Sequence, residues 1–215
     1  RVLRGLASSS EAKVLPNTVS RIARSSLDRR AGLGLDSGRV LADVNDEATW
    51  WCGSSESEIV SHFGRVGASE VGRLVFNSEM ESSALIGGRP GSGKSFLFHS
   101  IIFDLVLNYG PDELDLYLID LKEGVEFKPY GQMGLPHARA VAIESNREFA
   151  VSVLRSLDEE IRRRGTLFKQ SGGATVNLAA LRREDGRVIP RVVLMIDEFH
   201  KLFEKEDALR REAEQ

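Results

Sequence analysis

Residues 84–96 read Ala-Leu-Ile-Gly-Gly-Arg-Pro-Gly-Ser-Gly-Lys-Ser-Phe, an apolar run that passes four glycines in seven positions before a helical pattern begins. No other segment constrains the fold as tightly. A short strand that turns through glycines straight into a helix is the opening of a strand–helix–strand unit, which needs a parallel sheet to return to. The rest of the chain supplies candidates for that sheet. Leu114–Ile119, Ala138–Ile143 and Val192–Ile196 are short, nearly continuous apolar runs, as strands buried on both faces require.

Helical patterns lie between these runs. Phe96, Leu97, Ile101 and Leu105, with Phe98 and Ile102 beside them, mark the buried side of a helix that stops at Asn108-Tyr109-Gly110-Pro111. Phe149, Val153, Leu157, Ile161 and Phe168 mark a long helix ending at Ser171-Gly172-Gly173, and a short one is expected near 176–181. Residues 83–203 therefore read as an α/β domain, a mostly parallel sheet with helices on both faces. Upstream, residues 8–30 suit a modest amphipathic helix broken near Pro16 and Asn17, and 31–38 read as a linker. Trp50 and Trp51 are expected to anchor this extension, with base stacking as the alternative use of two indoles. A helix or strand is expected around Ile59–Phe63. Phe63–Phe76 alternates loosely, as a hairpin turning over Gly67–Gly72 would. The expected division is a basic extension and linker over 1–50 and a catalytic core over 51–215.

Composition excludes several classes. No apolar run in the 215 residues approaches the length needed to cross a bilayer, so no membrane contact is expected from this segment. A single cysteine, Cys52, rules out a disulfide framework and multi-cysteine metal sites, and the four histidines are scattered. The chain opens at Arg1 without a signal-peptide pattern and reads as a piece of a longer, cytoplasmic protein. Residues 1–40 hold eight Lys/Arg against three acids, a local net of +5; with −3 overall, the other 175 residues carry −8. Such an arm suits nucleic acid, a partner protein or a solvated helix face.

The glycine loop carries the chemistry. Gly88-x-x-x-x-Gly93-Lys94-Ser95 fits the phosphate-binding pattern in full, in the strand–turn–helix setting that gives it meaning. Glycines let the backbone curl so that successive N–H groups point inward as donors, and the helix starting near Lys94 adds its positive end. Gly88, Arg89, Pro90, Gly91, Ser92, Gly93, Lys94, Ser95 and Phe96 are expected to line the site. Lys94 would bridge the β- and γ-phosphates and the Ser95 hydroxyl would ligate Mg2+. Such a loop needs a second acid. Asp197 ends the apolar run 192–196, where an aspartate would hold Mg2+ through water. Glu198 beside it is placed to orient or deprotonate the attacking water. Together the motifs specify Mg2+-dependent hydrolysis of a nucleoside triphosphate, with Lys94, Asp197 and Glu198 catalytic and with Ser95 and Asp197 as metal ligands.

Three further segments narrow the class. Tyr117-Leu118-Ile119-Asp120-Leu121-Lys122-Glu123-Gly124-Val125-Glu126-Phe127, the Leu135-Pro136-His137 turn and the helix end Glu159-Glu160-Ile161-Arg162-Arg163-Arg164 fall, with Ile196-Asp197-Glu198-Phe199, in a fixed order. In that order and spacing the chain resembles the FtsK/SpoIIIE/HerA branch of RecA-like P-loop motor ATPases, and it is also similar to the EccC ATPases of type VII secretion. The resemblance implies a ring, a hexamer of the full-length protein, with ATP bound between neighbours. It implies double-stranded DNA as cargo for one branch and protein for the other.

The resemblance also implies a strand ending in Thr-Gln and a trans-acting residue after the helix that follows Asp197. Neither is found before Gln215, so an open sheet edge and weak turnover are expected of this stretch alone. Arg89 and Arg162–Arg164 are candidates for trans or structural roles. Asp120 and Glu126 would face the pore or a neighbour, or else cap their loop. Lys122, His137 and His200 would serve in polar linkage or in packing. DNA translocation is the first reading and protein secretion the alternative. A scaffold without turnover would lack Lys94 or Glu198, and both are present.

Overall fold

The computed structural model describes residues 50–66, 70–77, 82–122, 126–142, 147–170, 178, 181–182 and 189–214. The expected extension and linker before Trp50, and most of the short helix near 176–181, lie outside the described residues. The described part falls into two compact units: residues through Leu114 with Leu135–His137, and Asp115–Gly134 with the residues from Ala138 on.

The first unit is a hairpin and a helix. Strands β1 (Glu58–Val66) and β2 (Glu70–Asn77) pair antiparallel, with Ile59 opposite Phe76 and His62 opposite Arg73. The register shifts between His62 and Gly64. The hairpin is longer than its alternation suggests, and Gly72 sits inside β2, opposite Gly64, rather than in the turn. Helix α1 (Lys94–Asn108) packs against β1. Every residue from His99 to Leu107 is buried, so the expected one-sided stripe is too narrow. Six of the seven residues from Ile101 to Leu107 are apolar, and such a helix is stable only with its whole circumference covered. The one acid among them, Asp104, accepts the His62 backbone N–H at 2.7 Å.

The end of α1 shows why Trp51 is where it is. The last four carbonyls of a helix lack intrahelical donors. Here Leu105 O accepts from Tyr109 N, Val106 O from Trp51 Nε1, Leu107 O from Trp51 N and Asn108 O from Gly53 N, all within 3.0 Å. Ser55 completes the strap: its amide donates to Glu113 Oε2 at 2.8 Å and its hydroxyl reaches Glu113 O and Oε2 at 2.7 Å. The extension that the tryptophan pair is expected to anchor lies outside the described residues, while Trp51 itself is thus fixed to the helix end. Its indole is spent on the helix end and stands edge-on to His137 at 6.1 Å. His137 itself is fully buried and donates from Nε2 to Tyr109 O at 2.8 Å, a packed role rather than a chemical one.

One expected strand is not found among the described residues. Residues 82–89 belong to neither sheet of the described residues, and Leu85 is 79% exposed. Three apolar residues make a strand only when a neighbouring ladder takes up their N–H and C=O groups, and local sequence does not supply that neighbour.

The second unit holds a three-stranded sheet in the order β4 (Ala138–Ala142), β3 (Leu114–Asp120), β5 (Arg191–Asp197). β3 and β4 are parallel, with Tyr117 opposite Ala140 and Ile119 opposite Ala142. β3 is central and apolar, with Leu116, Leu118 and Ile119 fully buried. β5 is an edge among the described residues, and Val192, Val193, Leu194 and Ile196 are half-buried there.

Helix α2 (Lys128–Gln132) places Tyr130 in the core. Helix α3 (Arg147–Gln170) packs Ala150, Val151 and Val153 on Ile119, Leu121 and Ala142, with Leu154 and Leu157 alongside. Two residues of its expected apolar face are exposed instead, Phe149 at 41% and Ile161 at 68%. Phe149 lies about 100° around the helix from Ala150. Ile161 is on the right face but three turns beyond Ala150, past the reach of this core. Arg147 clamps helix α4 (Ala208–Ala213) through Asp207 (2.7 and 3.1 Å) and also donates to Leu202 O.

Candidate functional site

The glycine loop and the start of α1 form the first cluster. Ser92 N donates to Arg89 O at 3.0 Å, a tight turn, and Leu97 N to Gly93 O at 2.9 Å begins the helix ladder. Gly93 is the N-cap, with φ 94° and ψ 13°, a left-handed conformation that costs a residue with a Cβ about 1–2 kcal/mol. At Gly88 the need is space: a Cβ there would come 2.4 Å from Ser92 Oγ and 3.2 Å from Lys94 Cγ. The two ends of the loop therefore close on each other. No side chain caps the N-terminus of this 15-residue helix, and its first turn holds no acid. A helix end in that state is a ready anion site. Gly88 to Ser92 are exposed, while Gly93, Lys94, Ser95 and Phe96 are half-buried. All nine expected loop residues are thus in one contiguous, accessible turn of the first unit.

The carboxylates belong to the second unit, at the carboxyl ends of neighbouring strands β3 and β5, the ends where open α/β sheets take ligands. Asp197 closes β5, is 9% exposed and accepts the Glu198 amide on Oδ1 at 2.9 Å. Its carbonyl accepts from Leu121 N at 3.3 Å, tying the ends of the two strands together. Glu198 then takes φ 53° and ψ 42°, left-handed backbone on a residue with a Cβ. Strain of that kind clusters at functional positions. A one-turn 3-10 helix, Phe199–Leu202, follows at once.

Asp120 resolves the other way. It is 1% exposed, and its two oxygens accept from Lys122 N (2.9 Å) and Glu126 N (3.1 Å); it caps its own loop. The arginine cluster at the end of α3 is also internally paired. Arg163 and Arg164 both bind Glu160 at 2.6 Å, Arg164 reaches Pro190 O at 2.8 Å, and Arg162 meets Asp158 at 3.0 Å. Hydrogen bonds from Arg163 first, and then from Arg164, hold the Glu160 carboxyl down at about 2. One residue of interest was passed over in the sequence. Glu204 lies 3.6 Å from His200 Nε2, and a His-x-x-x-Glu spacing just after the Asp-Glu pair was its only signal.

The Ser95 hydroxyl in the first unit and the Asp197 carboxylate in the second are each an oxygen ligand of the kind Mg2+ takes. Among the described residues no three His, Cys, Asp or Glu gather to hold a metal by themselves. No described helix is long and apolar enough to cross a membrane.

Comparison with known proteins gives the family and the fold. EccC5, an ESX-5 secretion system protein of Mycobacterium marinum, is 31% identical over 128 residues, 55% of this chain and 9% of its own. The DNA translocase SftA of Bacillus subtilis is 32% identical over 132 residues, 60% of this chain and 13% of its own. The chain thus spans only a small part of the length of these relatives. The cytoplasmic domain of the Thermomonospora curvata type VII secretion ATPase EccC superposes with a TM-score of 0.54 at 22% identity, over 79% of this chain and 20% of that one. The fold they share is the RecA-like P-loop α/β fold. Residues 40–212 match the FtsK/SpoIIIE family, and the chain belongs to that family.

Proposed function

We propose that this chain is the Mg2+-dependent, ATP-hydrolysing motor domain of a double-stranded DNA translocase that works as a ring, a hexamer, in the intact protein. One observation carries the ATP part: a glycine loop closed on itself at the uncapped, acid-free end of a 15-residue helix. The backbone amides of Gly88, Arg89, Gly91, Gly93 and Phe96 donate to the phosphates, while Pro90, which has no N–H, and Ser92, whose N–H is spent on Arg89 O, shape the turn between them. Lys94 neutralises charge on the β- and γ-phosphates. Ser95 and Asp197 hold the metal. Glu198 orients and deprotonates the attacking water. Mg2+, when bound, draws charge off the β- and γ-oxygens.

The DNA part is supported by the likeness to SftA and by the basic first forty residues, with a net charge of +5. A protein-secretion motor is the second reading, and the likeness to EccC5 favours it. The test is ATP hydrolysis by the intact protein with and without double-stranded DNA across a salt series. Stimulation that fades as salt rises is expected of a protein gripping phosphates. Lys94-dependent hydrolysis indifferent to DNA would point to protein cargo.

A further inference from the structure

The general-base assignment of Glu198 leaves one thing to be explained, namely what holds its carboxylate. The backbone is fixed by the left-handed turn, by Asp197 Oδ1 on its amide and by Lys201 N donating to its carbonyl at 3.0 Å. The side chain beyond Cα still has three torsions. His200 meets one of its oxygens: Nδ1 stands 3.4 Å from Glu198 Oε2. The opposite nitrogen, Nε2, stands 3.6 Å from Glu204 Oε1, which Lys201 Nζ also approaches at 3.7 Å. The imidazole is therefore set between two carboxylates, one half-exposed and one largely buried.

We infer that His200 is a positioning residue for the Glu198 carboxylate, with Glu204 orienting the ring. The inference rests on the reading of Glu198 as general base. Both contacts are longer than ordinary hydrogen bonds, so they narrow the rotamers of Glu198 rather than lock them. Only the aim of the carboxylate is at stake, and nucleotide affinity is not.

The experiment is steady-state ATP hydrolysis by the intact protein, with nucleotide affinity measured alongside, for wild type, Glu198→Gln, His200→Ala, His200→Asn and His200→Gln. The asparagine amide nitrogen occupies the place of Nδ1, and that of glutamine the place of Nε2. His200→Ala is expected to lower kcat about three- to tenfold, the scale of freeing one long side chain, with KM and nucleotide affinity unchanged. His200→Asn should return kcat to within about twofold of wild type, and His200→Gln should stay slow like alanine. A Glu198-dependent enzyme whose kcat ignores His200→Ala, or is lowered equally by alanine and asparagine, would overturn the positioning role alone. Hydrolysis indifferent to Glu198→Gln would remove the general-base reading and the positioning role together.

Discussion

The same chemical change, glycine to alanine, should have opposite effects at two places in this chain. At Gly93 nothing lies within 4 Å of an added Cβ, so the methyl has room. The cost there is conformational. With φ at 94°, alanine must either bear about 1–2 kcal/mol of left-handed strain or let the start of α1 relax. If the helix start holds, the melting temperature of a chain this size falls by about 2–8 °C. If it relaxes, the amides leave their aim and nucleotide affinity falls about five- to thirtyfold, the equivalent of the same energy. Gly165 also has nothing within 4 Å of a new Cβ, but it sits inside helix α3 with no positive φ. Alanine there should stabilise by about 1 kcal/mol through helix propensity and leave nucleotide affinity alone. Titration with a fluorescent ATP analogue and thermal melts of the two variants separate the cases. Gly93→Ala that binds and melts like wild type would refute the left-handed N-cap and the loop geometry built on it.

Two further predictions concern stability. Trp51→Ala should cost about 2–3 kcal/mol, because it removes a half-buried indole and leaves Val106 O without the indole donor, whereas Trp51→Phe should cost about 1 kcal/mol; urea unfolding measures both. Glu160 titrates at about 2 when folded against an ordinary 4.5, so its pairing with Arg163 and Arg164 stabilises fully above pH 4.5 and is lost as pH falls toward 2. The pair is partly solvated, so screening keeps this to about 1 kcal/mol or less. Melts of Glu160→Gln and wild type should differ at pH 7 and converge only at about pH 2 or below, and a gap that widens in acid would contradict the assignment.

What could be read from sequence was what local pattern determines. The glycine spacing defined the loop and the start of α1, and Asn108-Tyr109-Gly110-Pro111 defined its end. The apolar runs 114–119 and 192–196 located β3 and β5, with Asp197 at the strand end. The misses depend on contacts and backbone conformations that the local pattern does not specify. Leu85 sits in an apolar run that no ladder among the described residues takes up, and Gly72 is in a strand, with Gly64 opposite it. Ile161 has the right periodicity but lies beyond the core it was expected to meet. Asp120 looked equally suited to a pore and a cap until its two oxygens were seen on Lys122 N and Glu126 N. The left-handed turn at Glu198 has no sequence signature, since neither glycine nor asparagine marks it.

The most direct test of ATP hydrolysis on this loop is to compare the intact protein with Lys94→Ala and Glu198→Gln, measuring Mg·ATP binding and single-turnover hydrolysis in each. Wild type should bind and hydrolyse, Lys94→Ala should lose both, and Glu198→Gln should bind at near wild-type affinity while hydrolysing at least about a hundredfold more slowly. Binding and hydrolysis that survive Lys94→Ala would contradict the assignment of this loop as the ATP site.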